Sequence, residues 1–224
     1  MKILTTLALA GGAMFLPARV EAEPVQCDVV VQLGDSATSK DPQPYVDAYL
    51  PAGFDMTLVV AGSGRMILGP DVRDDDLAGW RDGERSGVEY LRSHRTGVES
   101  VHDLRILFKW AGVAHPCWVV ALGSNDAAHL TLDWWQYDID QMVAALDGDP
   151  AIWVTAWADA VWPGYTPEVM GAWNAFVASQ LPVCDWASTV VDRPDLFLDG
   201  AHPTHEGHLQ RASFLAGCAQ ATFT

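Results

Sequence analysis

The sequence has few positive charges, only two asparagines and no long apolar run beyond its first residues. Each shortage closes off a class of function. Lys and Arg number 13 against 29 Asp and Glu over 224 residues, a formal net charge of −16. A nucleic-acid backbone or an anionic bilayer surface would repel such a molecule, so neither nucleic acid nor membrane is an expected partner. The single long apolar stretch is N-terminal and too short to span a bilayer. Asn125 and Asn174 are the only asparagines and neither begins Asn-x-Ser/Thr, so there is no N-glycosylation acceptor. The four cysteines include no CxxC and no Cys/His spacing for zinc, and no metal or other cofactor is expected. Internal repeats, low-complexity tracts and an interdomain linker are all missing. What is there is half hydrophobic, at 50%, with a mean hydropathy of +0.08. That composition and length suit one packed domain.

The first 22 residues read as a secretory leader. Lys2 gives a positive start, Ile3 to Leu16 a short apolar core, and Val20-Glu21-Ala22 small residues at a cleavage point. The expected domains are a leader over 1–22 and a single domain over 23–224. Export also accounts for the cysteines. All four follow the leader, and an even count in an oxidising compartment favours two disulfides.

The rest of the chain alternates strand and helix patterns. Short apolar runs lie at Val29–Leu33, Met56–Ala61, Trp118–Leu122, Ile152–Ala156 and Val183–Trp186. They are β-branched and non-alternating, as strands buried on both faces of a parallel sheet are. Helical spacing joins Val98, Val101, Leu104, Leu107, Phe108 and Ala111, and again Ile139, Met142, Val143 and Leu146. Thr166-Pro167-Glu168 is a helix start, and a last helix is expected from Thr204 to Ala219. This alternation predicts an α/β fold with a parallel sheet.

Ligands of such folds bind beyond the carboxyl ends of the strands. Gly34-Asp35-Ser36 follows the first strand, Gly62-Ser63-Gly64-Arg65 the second and Gly123-Ser124-Asn125-Asp126 the third. Asp199-Gly200-Ala201-His202 precedes the last helix. Acyl transfer is the chemistry that needs these types on one rim. A serine hydroxyl needs a base, a histidine base needs an orienting carboxylate, and the tetrahedral oxyanion needs fixed donors. Taken singly, Ser36, Asn125 or Asp126 could merely cap a helix.

These four blocks, in this order, resemble the SGNH or GDSL hydrolases over nearly the whole chain after the leader. The resemblance implies a flavodoxin-like three-layer α/β/α sandwich with a five-stranded parallel sheet ordered 2-1-3-4-5. It implies hydrolysis of esters without a cofactor. It makes Ser36 the nucleophile, His202 the base and Asp199 its orienting acid, with Ser36, Gly64 and Asn125 forming the oxyanion hole. Gly62 is the alternative to Gly64. In that sheet order Cys27 and Cys117 start neighbouring strands, and Cys184 and Cys218 reach the bottom together, so the pairs Cys27–Cys117 and Cys184–Cys218 are expected. Both pairs would be structural.

The expected function is a secreted or periplasmic monomeric esterase removing short acyl groups, acetyl foremost, from carbohydrate. A lipase, arylesterase or acyltransferase would use the same residues, and a non-catalytic glycan-binding module is the reading from another class. Asp35, Arg65, Trp134 and Trp135 are candidates for the substrate cleft, while Trp118, Trp153 and Trp157 are read as core residues on strands. The acid-rich run Asp71–Asp82 is read as a solvated loop, since it lacks calcium-loop spacing. His202, His205 and His208 drift around a helix surface, which argues against a metal site.

Overall fold

The computed structural model describes residues 26–68, 76–82, 85–91, 96–159 and 162–224. The expected leader over 1–22 lies outside them. Strand β1 (Val29–Gly34) is buried at every residue, as a strand covered on both faces must be. It pairs in parallel with β2 (Met56–Gly62) on one side and β5 (Pro116–Ala121) on the other. β6 (Ala151–Val154) and β7 (Val183–Cys184) continue the parallel set. Counted among themselves these five strands have the order 2-1-3-4-5.

The sheet is wider than expected. An antiparallel hairpin, β3 (Asp76–Asp82) and β4 (Arg85–Leu91), extends it beyond β2 to seven strands. Part of the acid-rich run read as a solvated loop is therefore a strand. Its register runs from Met56 opposite Asp82 to Gly62 opposite Asp76. An edge strand presents a row of unpaired N–H and C=O groups, and β3 satisfies that row on β2 whatever the local charge.

Helices cover both faces. On one side α3 (Gly97–Ala111), α5 (Leu132–Leu146) and α6 (Pro167–Ala178) pack on Val31, Leu33, Trp118, Val120 and Trp153. On the other, α2 (Gln43–Tyr49), α7 (Trp186–Val190) and α8 (His205–Phe223) pack on Val30, Val119, Ile152 and Val154. Alternate strand residues thus feed opposite cores, as period-two geometry requires. Caps set the helix boundaries. Thr96 and Glu99 form a capping box on α3, and the Thr166 and Thr204 side chains accept the N–H groups of Val169 and Gly207. Asp185 accepts the Ser188 N–H, which starts α7 at Trp186 and shortens the expected fifth parallel strand to two residues. Disulfides join Cys27 to Cys117 and Cys184 to Cys218. The first ties the start of β1 to β5, and the second ties β7 to α8.

One buried pair of acids favours a bound proton. Asp126, on α4 (Ser124–His129), and Asp138, on α5, are both fully buried. Asp126 Oδ1 accepts the Ile67 N–H at 2.9 Å, while Oδ2 of each carboxyl has no donor among the described residues. Burial foremost, and then the second carboxyl beside it, raise Asp126 well above the usual carboxylate range despite the Ile67 bond. Burial raises Asp138 too. A proton shared between the two oxygens satisfies both. The folded state then keeps a proton that the unfolded chain loses above about pH 4, so this pair makes stability fall as the pH rises past that value. Asp138→Asn supplies a permanent N–H donor. It should raise the unfolding temperature at about pH 8 and leave it nearly unchanged at about pH 3. Thermal unfolding at the two pH values checks this, and equal destabilisation at both would exclude the shared proton.

Candidate active site

The parallel strands deliver their C-terminal loops to one edge of the sheet, where a cleft of about 620 Å³ opens. Ser36 is the first residue of α1 (Ser36–Ser39), directly after β1. The preceding Asp35 caps that helix, accepting the Ala37 N–H at 2.9 Å and the Ser124 hydroxyl at 2.5 Å. The start of α1 is thereby tied to the loop after β5. Ser36 Oγ lies 2.9 Å from His202 Nε2, and His202 Nδ1 lies 2.7 Å from Asp199 Oδ2. The carboxylate can only accept, so Nδ1–H donates to Asp199 and Nε2 is left to accept the serine proton.

Asp199 does two jobs in its loop. Its Oδ1 accepts the backbone N–H groups of Ala201 at 3.1 Å and His202 at 2.8 Å. Burial works to raise this carboxyl, but the bonds from the His202 ring and from the two N–H groups outweigh it and hold it below the usual range. It stays ionised. The His202 carbonyl accepts the Leu198 N–H at 2.8 Å, which closes the loop on itself. Trp162 packs edge-on against the imidazole, with ring centroids 5.6 Å apart.

Asn125 reaches the cleft because Gly123 turns the chain into α4 with φ of +117°. A side chain there would be strained by that φ and would stand 2.2 Å from the Trp173 ring. One Asn125 Nδ2–H donates to the Arg65 carbonyl at 2.9 Å, and Tyr165 donates to Oδ1 at 2.6 Å. Burial foremost, with Asp35 and Asp126 nearby, pushes the Tyr165 hydroxyl up to about 12, so it remains a donor. The amide is fixed at both ends and has a second N–H to give. Gly64 lines the cleft in a turn after β2, with φ of +76°. Gly62, the alternative, ends β2 and does not line it.

The structure thus brings Ser36, His202, Asp199, Asn125 and Gly64 to one cleft, and it corrects several of the cleft assignments. Asp35 borders the cleft but is engaged as a helix cap. Arg65 is fully buried, donates to the Val60 carbonyl and is not a cleft residue. Trp135 is buried against Trp173 and Phe176, and Trp134 is exposed on α5; neither lines the cleft. Helix α5 begins at Leu132, before the expected apolar face, and carries both tryptophans away from the rim. Trp157, read as a core strand residue, lies past the end of β6 and lines the cleft with Trp162, Tyr165 and Trp186. The one signal for Trp157, Trp162 and Tyr165 is aromatic density after the fourth parallel strand.

No protein-family model and no curated protein matches the sequence. Solved structures do share its architecture. One is the esterase EstA from a Pseudoalteromonas species, at 13% identity over 88% of this chain and 96% of that one, with a TM-score of 0.51. Another is a variant of the acetyl xylan esterase Axe2 from Geobacillus stearothermophilus, at 16% identity over 89% of this chain and 97% of that one, with a TM-score of 0.52. At these identities the likeness is one of fold alone.

A serine whose proton can pass to a neighbouring imidazole reacts with organophosphonate probes far faster than an ordinary hydroxyl. Such a probe should label Ser36 and no other serine, as read by peptide mass spectrometry. Asp199→Asn should slow the labelling by at least about a hundredfold, because the imidazole loses its fixed tautomer. Equal labelling of several serines would mean that Ser36 is only a helix-starting residue.

Proposed function

We propose that this protein is an exported serine esterase that removes short acyl groups, acetyl foremost, from carbohydrate through an acyl-enzyme on Ser36. The observation that carries the reading is the hydrogen-bonded line from Ser36 through His202 to Asp199, with contacts of 2.9 and 2.7 Å. Ser36 Oγ bonds to the ester carbonyl carbon while His202 Nε2 takes the hydroxyl proton. The carbonyl electron pair moves onto oxygen, where the Ser36 N–H, the Gly64 N–H and the free Asn125 N–H stabilise it. Collapse expels the alcohol, which carries away the proton from His202. Water then repeats the sequence on the acyl-enzyme and restores Ser36.

The sugar and export parts of the reading have their own support. Trp157, Trp162, Tyr165 and Trp186 give the cleft aromatic faces of the kind that pack on sugar rings. The two neighbours of like fold are named as an esterase and an acetyl xylan esterase. Two disulfides fit an oxidising compartment. Among the described residues no helix is long and apolar enough to cross a membrane.

Hydrolysis of p-nitrophenyl acetate, followed by release of acetate from acetylated polysaccharides, tests the reading. Asn125→Ala should lower kcat by roughly a hundred- to a thousandfold with KM nearly unchanged, since its donor acts on charge that forms only in the transition state. Tyr165→Phe leaves the amide in place but unanchored at Oδ1, and should lower kcat by a smaller factor, about tenfold, again with little change in KM. Full turnover in Ser36→Ala would end the proposal.

A further inference from the structure

Part of the cleft's lining comes from the side of the sheet that carries α2, α7 and α8. Val154, Trp157, Trp186 and Phe197 wall it there. Among the described residues, Arg211 of α8 is the only arginine or lysine that lines it. The residue is 6% exposed. Its hydrogen bonds all leave from Nη1, to the Ala37 carbonyl at 3.1 Å, Thr38 Oγ1 at 3.1 Å and Tyr45 Oη at 3.3 Å. The guanidinium also lies over the Tyr45 ring, 5.8 Å from its centroid.

Nη1 therefore supports the helix that carries Ser36, but the rest of the group has no such use. Among the described residues, Nε and Nη2 donate to no protein atom, and neither is sealed from solvent space. No described carboxylate oxygen lies within 4.0 Å of Arg211. The neighbouring His208 is lowered to about 4 by burial foremost and then by the Arg211 charge, so it stays neutral. Two other described arginines meet acids: Arg105 pairs with Asp147 and Asp149, and Arg193 with Asp195. A buried cation is costly to leave unpaired. An open Nε–Nη2 edge is a planar fork that fits a carboxylate through two parallel bonds.

We propose that Arg211 is an anion-recognition residue, and that the esters this cleft takes carry a carboxylate on the part lodged in this lobe. Together with the aromatic walls, that describes an O-acylated acidic sugar. The identification of a turnover substrate rests on the esterase reading above, whereas the anion site itself does not. In a molecule of net charge −16, the field as a whole does not attract an anion, so recognition falls to this local cation.

Binding and turnover test the two parts separately. Tryptophan fluorescence, sensitive to Trp157 and Trp186, follows the titration of Ser36→Ala protein with glucuronate and with glucose. Glucuronate should bind more tightly, and adding Arg211→Gln should remove that preference, by about tenfold or more. Turnover, read as acetate release, compares acetylated glucuronate with its methyl ester, which removes the charge and adds one methyl group. The ratio of kcat/KM for acid over ester should fall by a similar factor in Arg211→Gln and be partly kept in Arg211→Lys. Circular dichroism and thermal unfolding confirm that each variant is folded. If Arg211→Gln fails to fold, Arg211→Lys carries the comparison, with a preference intermediate between wild type and unity. Equal binding of glucuronate and glucose by the parent protein would overturn the proposal. So would equal losses on acid and methyl ester, which would leave Arg211 as a support for α1 only. Absence of turnover on any ester would defeat the esterase reading, while the glucuronate titration would still decide the anion site.

Discussion

The hydrogen bond between Ser36 and His202 joins residues 166 positions apart, and its length of 2.9 Å depends on how firmly two short segments are held. A displacement of about 1 Å would break it as a proton path. One segment is the start of α1, fixed by the Asp35 cap, by Ser124 bonding to Asp35, and by Arg211 beneath the Ala37 carbonyl. The other is the loop before α8, closed by Asp199 on its own backbone and by the contact of Leu198 N–H with the His202 carbonyl. The loop after β6 joins it through Asp159 N–H and the Gly200 carbonyl at 2.9 Å. Packing of the sheet between two helical layers brings the segments near each other. Polar contacts of this kind set the final distance.

The two asparagines of the chain illustrate how side chains replace missing backbone partners at this rim. Beyond the ends of the strands no ladder continues, so loop N–H and C=O groups need other partners. Asn125 holds the Arg65 carbonyl and so fixes the loop after β2. Asn174, on α6, both accepts the Ala156 N–H and donates to the Ala156 carbonyl, at 2.8 Å each. An amide offers donor and acceptor together, which a carboxylate or a hydroxyl of that reach does not. Asp126 performs the related task at Ile67, at the expense of burying an acid beside Asp138. The loop after β2 is thus anchored by two successive residues of α4, and the turn carrying Gly64 lies between the strand end and those anchors.

Arg211 and Asp199 show opposite solutions to the same electrostatic problem. Asp199 is an acid near the surface whose charge is fully used, by the imidazole and two N–H groups, and this keeps it ionised. Arg211 is a deeply buried base whose charge is used on one nitrogen only. The first is complete without a ligand and orients a neighbour. The second has unused donors, and this incompleteness distinguishes a group turned to a ligand from one that only braces the fold.

From the sequence alone the parallel strands, four of the helices, the helix starts at Thr166 and Thr204 and the four rim blocks are legible, because each has a local physical signature. Burial on both faces forces continuous apolar strands, and helix entry requires Thr or Asp caps. A turn of positive φ such as that at Gly123 favours glycine. The disulfide partners followed once the order of strands was supplied. What the sequence did not carry was anything decided by which element lies beside which. The hairpin of β3 and β4 escaped notice because edge pairing depends on an open neighbour rather than on local charge. Trp134 and Trp135 were misplaced because the true start of α5 at Leu132 rotates them away from the rim, and Trp157 because β6 stops at Val154. Tyr165 beside Asn125, and Arg211 beneath Ala37, lie 40 and 174 residues from those partners. No spacing rule reaches across such intervals, since contacts between distant segments are set by how the layers stack. Tertiary structure alone decided them.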